Sequence, residues 1–157
     1  MEVFTVSLFG HRKVDDLRWL EGALFPIIKE LIRTKPYISF LIGRNGEFDE
    51  YVASMIKHAQ KELGKDNNEI MLVLSYKVAN LEYYQNYYDA IIMPECVYGA
   101  HPKCAITLKN RWMVEQSDLV IVYVVRNNGG AYTSMKYAEK RNKRVINLKS
   151  VDRNCVE

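Results

Sequence analysis

Cysteine is scarce and odd in number: the chain carries three, Cys96, Cys104 and Cys155. A secreted disulfide scaffold would hold a denser, even set, so this usage points to reduced thiols and a cytoplasmic setting. Proline and glycine are few as well, 4 and 8 in 157 residues, which excludes collagen-like and low-complexity chains. No apolar run approaches the roughly 20 residues that a membrane span needs. No basic stretch followed by an apolar core lies near Met1, so neither a membrane partner nor a secretory leader is expected. A strong excess of one charge is also missing. Lys and Arg number 22 against 19 Asp and Glu, a net charge of +3, which falls short of the Lys/Arg face that grips nucleic acid through its phosphates. The one tight basic run, Lys140, Arg141, Lys143 and Arg144, reads as a helix C-terminus whose cations offset the helix dipole. There is no G-x-G-x-x-G, so the ordinary NAD or FAD fingerprint is absent and no cofactor is expected.

What remains is an alternation of two periodicities. Glu2 to Phe9, Tyr37 to Ile42, Ile70 to Leu74, Ala90 to Met93, Leu119 to Val125 and Val145 to Leu148 are short β-branched or apolar runs that read as strands. Leu119 to Val125 is the most continuous and reads as central. Between them lie helical stripes: Leu17, Leu20, Leu24, Ile28 and Leu31; then Phe48, Val52, Met55, Ile56, Ala59 and Leu63, stopped by Gly64. Further helices are expected from Ala105 to Ser117 and after Gly130. Pro26 falls inside the first stripe, which predicts a kink or two shorter helices. The pattern implies an α/β, Rossmann-like, doubly wound and mostly parallel sheet with helices on both faces, in a single domain over residues 1–150 with a tail at 151–157.

In such sheets ligands lie outside the carboxyl ends of the strands. Three glycine-containing segments fall there: Gly10, His11, Arg12 and Lys13; Gly43 through Asp49; and Gly129, Gly130 and Ala131. Glycine lets backbone N–H groups approach an anion closely, and a helix opening directly afterwards adds free donors and the positive dipole end. Arg12, Lys13 and Arg44 can add charge-assisted bonds to phosphate oxygens.

The segments Phe9-Gly10-His11-Arg12, Gly43-Arg44-Asn45-Gly46-Glu47-Phe48-Asp49, Asn110 to Asp118 (NRWMVEQSD) and Gly129-Gly130-Ala131, in this order and spacing, resemble the SLOG superfamily. The likeness is to its branch of small stand-alone YpsA-like proteins. It implies a Rossmann-like fold that binds nucleotides or nucleotide-derived molecules, often as a homodimer or higher homo-oligomer. Some relatives are sensors or scaffolds, the LOG enzymes cleave the N-glycosidic bond of nucleoside monophosphates, and the DprA type works on single-stranded DNA. The LOG signature, Gly-Gly-x-Gly-Thr-x-x-Glu, ends in a catalytic Glu; here Lys136 stands at that place, and Thr133 follows Tyr132. The Arg-Lys pair that precedes a Met in those enzymes is replaced by Lys109 and Asn110 before Met113, with Arg111 one step beyond.

The candidate ligand-binding residues are therefore Gly10, His11, Arg12, Gly43, Arg44, Asn45, Gly46, Glu47, Asp49, Lys109, Arg111, Gly129, Gly130 and Thr133. The expected function is a binding module that senses or sequesters a nucleotide-derived, phosphate-bearing small molecule. The alternative is an N-glycosidase, phosphoribohydrolase or nucleoside-transferring enzyme using Glu47, the remaining candidate acid, whose other role is ribose contact or capping. A third reading is single-stranded nucleic-acid binding. Turnover separates the second, and a steep fall of affinity with salt separates the third. Cys96, His101 and Cys104 supply only three soft ligands, so no metal site is expected and the cysteines read as small buried loop residues. Tyr83, Tyr84, Tyr87, Tyr88 and Tyr98 form an aromatic run that suits base stacking, a dimer surface or a packed cluster under a loop.

Overall fold

Where apolar residues run continuously the backbone extends, and where they recur every three to four residues it coils. The computed structural model describes residues 2–150. Along the chain come β1 (Phe4–Gly10), α1 (Leu17–Thr34), β2 (Ile38–Ile42), α2 (Glu47–Leu63), β3 (Asn68–Val73) and α3 (Leu81–Tyr87). They are followed by β4 (Ala90–Ile92), α4 (Pro102–Gln116), β5 (Leu119–Tyr123), α5 (Gly130–Lys140) and β6 (Arg144–Asn147). The six strands form one parallel sheet in the order β4-β3-β2-β1-β5-β6. The chain steps outward from β1 to β4, then returns to the far side of β1 for β5 and β6. Strand order thus reverses between β1 and β5, the place where loops leave in opposite directions and a crevice opens.

β1, β2 and β5 feed two cores. Val6 and Leu8 of β1, Phe40 of β2 and Ile121 of β5 pack with Leu20, Leu24 and Ile28 of α1 and with Phe48, Val52 and Ile56 of α2. On the opposite face Phe9, Leu41, Val120 and Val122 meet Met113 and Val114 of α4 and Ala131 and Ala138 of α5. Burial on both faces explains why β5 is apolar from Leu119 to Val122 and why β2 is apolar at every position but Ser39, rather than alternating. Helix ends follow local chemistry. The Asp16 carboxylate accepts from the Trp19 N–H at 3.0 Å to cap α1, and Gly64 at φ 91° terminates α2.

Several expectations need correcting. Pro26 does not divide α1, which is assigned as one helix across it; Leu20, Leu24, Ile28 and Ile32, buried on both sides of Pro26, hold the turn that loses a hydrogen bond. β5 has neighbours on both sides, but the middle of the sheet falls between β2 and β1. Leu17 is exposed rather than core. A helix for which no stripe was read, α3, lies between β3 and β4 and carries Tyr83, Tyr84 and Tyr87. Cys96 and Cys104 are exposed free thiols, not buried ones; Cys96 lies in the 3-10 turn Glu95–Val97 and Cys104 in the first turn of α4. Cys155 and the expected tail at 151–157 lie outside the described residues. No helix among the described residues is long and apolar enough to cross a membrane.

The tightest junction is at the end of β1. A Cβ on Gly10 would lie 2.1 Å from Cγ of Phe48, which is 1% exposed. Gly10→Ala must displace that ring, and overpacking of this kind costs about 1–3 kcal/mol. Urea denaturation is expected to show that loss with an unchanged m value; a change below about 0.5 kcal/mol, the size of a neutral surface substitution, would contradict the packing.

Candidate functional site

A cleft of about 300 Å³ lies at the carboxyl edge of the sheet, where strand order reverses. The loop after β1 supplies Gly10, His11 and Arg12; the segment after β2 supplies Gly43, Asn45 and Asp49. The loop after β5 and the start of α5 supply Arg126, Gly129, Gly130 and Ala131. The fourth wall is a helical stripe on α4: Ile106, Lys109, Asn110 and Met113, spaced by three, one and three residues. Two of the loops are joined directly, because the Val125 N–H donates to His11 Nε2 at 3.1 Å. Burial, reinforced by the nearby Arg126 cation, lowers the His11 pKa. The ring is therefore neutral at pH 7 with its proton on Nδ1.

Lys109 is the unusual member. Its side chain is 1% exposed, and among the described residues no carboxylate lies within 4.0 Å of Nζ. Burial pulls its pKa down to about 8, with the Asp49 carboxylate offsetting part of the fall. Asp49 is buried too, which raises its pKa against the opposing pull of the Asn45 N–H bond and of Lys109. Its Oδ2 accepts from the Asn45 N–H at 2.8 Å. The Oδ1 of Asn110 is buried with no hydrogen-bond partner, the one such side-chain atom among the described residues. Unpartnered polar groups in a buried wall are costly unless a ligand or water completes them.

Gly129 sits at φ 92°, a conformation that favours glycine, and α5 begins at Gly130. The Thr133 N–H already bonds the Gly129 carbonyl at 3.0 Å. The N–H groups of Gly130, Ala131 and Tyr132 precede it and have no acceptor within the helix. They stand at the positive end of the α5 dipole beside the cleft.

Five of the expected ligand residues do not line this cleft. Gly46 packs against the Arg12 backbone, where a Cβ would come within 2.5 Å of Arg12 Cα. Glu47 straps the β1 loop: its N–H donates to the Arg12 carbonyl at 2.8 Å, and its Oε2 accepts from the Val14 N–H at 2.9 Å. Arg44 turns outward, its guanidinium donating to Tyr84 Oη at 2.8 and 3.1 Å and to Tyr76 Oη at 2.8 Å. Arg111, two residues beyond Lys109 and so on another face of α4, stacks over the Tyr137 ring at 5.2 Å. The Thr133 hydroxyl donates to the Gly129 carbonyl at 3.0 Å. Arg111 and Thr133 line an adjacent groove with Lys136 and Lys140. Arg126 and Asn110 were not among the expected ligands; Arg126 directly precedes the Asn-Asn-Gly-Gly turn, and Asn110 shares the stripe of Lys109. Among the described residues no three His, Cys, Asp or Glu side chains gather as metal ligands.

No protein-family model matches the chain, and no curated protein matches it in sequence. Among solved structures it is similar to DNA processing protein A (DprA) from Streptococcus pneumoniae, with a TM-score of 0.64 and 15% identity. The likeness covers 90% of this chain and 49% of that one, so the chain spans about half the length of the protein it matches. At that identity the likeness establishes a shared Rossmann-like fold.

The buried ammonium gives a stability signature. The folded chain holds the Lys109 proton more weakly, with a pKa of about 8, than the unfolded chain, whose lysine titrates near 10.5. The unfolded state therefore binds more protons between those values, and the contribution of Lys109 makes stability rise with pH across that window. The penalty at neutral pH is about 3 kcal/mol. Lys109→Met is expected to be more stable than wild type near pH 7, with the advantage shrinking towards about pH 10. Urea titrations at both pH values check this; an advantage that does not change with pH would contradict it.

Proposed function

We propose that this chain is a SLOG-like binding module, of the small YpsA-like kind, that senses or sequesters a nucleotide-derived, phosphate-bearing small molecule. The observation that carries the reading is the open N-terminus of α5 at a cleft whose wall holds a buried ammonium, Lys109, with no carboxylate within 4.0 Å among the described residues and Asp49 offsetting only part of its burial. An anion there answers three needs at once. It accepts from the N–H groups of Gly130 to Tyr132, it lies at the positive end of a helix dipole, and it gives Lys109 a reason to stay charged. Arg12 and Arg126 at the same cleft extend the cationic lining. The phosphate belongs on the Gly129-Gly130 turn, with Gly43 and Asn45 flanking the sugar.

Enzymatic cleavage through Glu47 fits less well. Its carboxylate is turned to the β1 loop, where Oε2 accepts from the Val14 N–H, it does not line the cleft, and Lys136, standing where LOG enzymes carry their acid, lines the neighbouring groove. A cation there opposes the positive charge that develops on a ribose during glycosidic cleavage. Nucleic acid is the second reading. It is favoured by the adjacent groove with Arg111, Lys136 and Lys140 and by a fold neighbour named DNA processing protein A. It differs from the first in requiring an affinity for single strands that falls steeply with salt. The exposed free thiols of Cys96 and Cys104 suit a reducing, cytoplasmic setting. Exposed Leu81, Tyr83 and Tyr98 near β4 suit a homo-oligomer.

Gly130→Asp tests the phosphate position. A Cβ at Gly130 meets nothing closer than Asn110 Nδ2 at 3.9 Å, and an acid in the first turn of a helix is favourable, so the variant is expected to fold. Its carboxylate then occupies the anion's place and repels it. A nucleoside phosphate at 100 times its dissociation constant stabilises the wild type by roughly 2.7 kcal/mol. Thermal unfolding with a panel of nucleoside mono- and diphosphates is expected to show this rise for wild type and for Lys140→Ala, and none for Gly130→Asp. A folded Gly130→Asp protein with the full rise puts the phosphate elsewhere.

A further inference from the structure

Resting on the phosphate-binding reading above, we infer that the β2 side of the same cleft is a sugar subsite that selects ribose over 2-deoxyribose through its vicinal hydroxyls. Three polar atoms converge over Gly43. A Cβ placed there would lie 2.7 Å from Lys109 Nζ, 3.3 Å from Asn45 Nδ2 and 3.4 Å from Asp49 Oδ2. A side chain at that position would collide with the ammonium, so glycine there lets the three polar groups close in around its Cα at the cleft wall. Lys109 is 1% exposed and Asp49 8%, and all three side chains line the cleft.

The chemistry of the trio is specific. A phosphate suits the ammonium and the amide, but a buried carboxylate beside them repels it. The group that satisfies all three both donates and accepts, as a hydroxyl does. Of the carboxylate's roughly four lone-pair sites, the Asn45 N–H takes one, which leaves acceptors for a sugar O–H. The ammonium and amide donate to the hydroxyl oxygens. Two adjacent hydroxyls engage the carboxylate and the ammonium together without bringing those side chains into contact.

The spacing suits a pentose phosphate. The crevice between β1 and β5 lies one and a half strand spacings from β2, about 7 Å, which is the span of one furanose ring carrying its phosphate. A site whose buried polar groups are completed by a substrate hydroxyl rejects the analogue that lacks it, because the partners are then left unpaired.

The test uses the full chain and a base-free matched pair, ribose 5-phosphate and 2-deoxyribose 5-phosphate, with inorganic phosphate as the reference, titrated by calorimetry. Wild type is expected to bind ribose 5-phosphate about tenfold or more tightly than its deoxy counterpart, the worth of one charge-assisted hydrogen bond. Asp49→Asn keeps an acceptor for the Asn45 N–H, so the loop is retained. It exchanges an anionic acceptor for an amide, and the ribose preference is expected to fall to about twofold or less while inorganic phosphate still binds. Equal affinities for the two sugars in wild type overturn the sugar subsite and leave the phosphate site standing. A preference that persists in Asp49→Asn removes the carboxylate from it and overturns the inference. If neither sugar phosphate nor inorganic phosphate binds, the phosphate-binding reading fails and the subsite fails with it.

Discussion

The arrangement rests on the reversal of strand order between β1 and β5. Because β2 to β4 are added on one side of β1 and β5 and β6 on the other, the loops leaving β1 and β5 diverge and leave a gap above the sheet. The buried ammonium of Lys109, the unpartnered Oδ1 of Asn110 and the open turn of α5 all border that gap. The β1 loop is fixed on one side by Glu47, through its N–H and its carboxylate, and on the other by the bond from Val125 to His11. The glycine at the end of β1 gives Phe48 room to pack beneath it. The β1 loop at the cleft is thereby tied to the elements on both sides of it.

Lys109 shows what this edge costs the fold. An ammonium at 1% exposure with its pKa near 8 weakens the folded state at neutral pH. A core built for stability alone would place an apolar side chain there, as buried charges are commonly outperformed by well-packed hydrophobic residues. The unpartnered Asn110 Oδ1 one residue further along α4 repeats the pattern. Both groups line the cleft that the start of α5 also borders.

Much of the fold was legible in the sequence because the strands are apolar on both faces and the helices striped. Gly10, Gly43 and Gly129-Gly130 all reached one edge because each follows a strand of a parallel sheet, where every carboxyl end points the same way. Helical phase was harder to read. Glu47 and Asp49 fell in one candidate window, yet Glu47 bonds the β1 loop while Asp49 turns into the cleft. Lys109 and Arg111 were likewise paired, although two residues along a helix place them on different faces. Arg44 escaped because its partners Tyr76 and Tyr84 belong to the α3 region, a segment rich in aromatics and without an apolar stripe. Arg126 and Asn110 are local neighbours of residues already singled out, and only the three-dimensional closure of the cleft brings them in.

The most direct measurement of phosphate binding at the switch point is an amide NMR titration of ¹⁵N-labelled protein with inorganic pyrophosphate. If the anion sits on the open turn of α5, the N–H resonances of Gly130, Ala131 and Tyr132 move first and furthest, with the Gly10 to Arg12 loop following and the far ends of the strands still. If those amides stay in place while pyrophosphate shifts resonances elsewhere, or shifts none, the cleft between β1 and β5 is not a phosphate site.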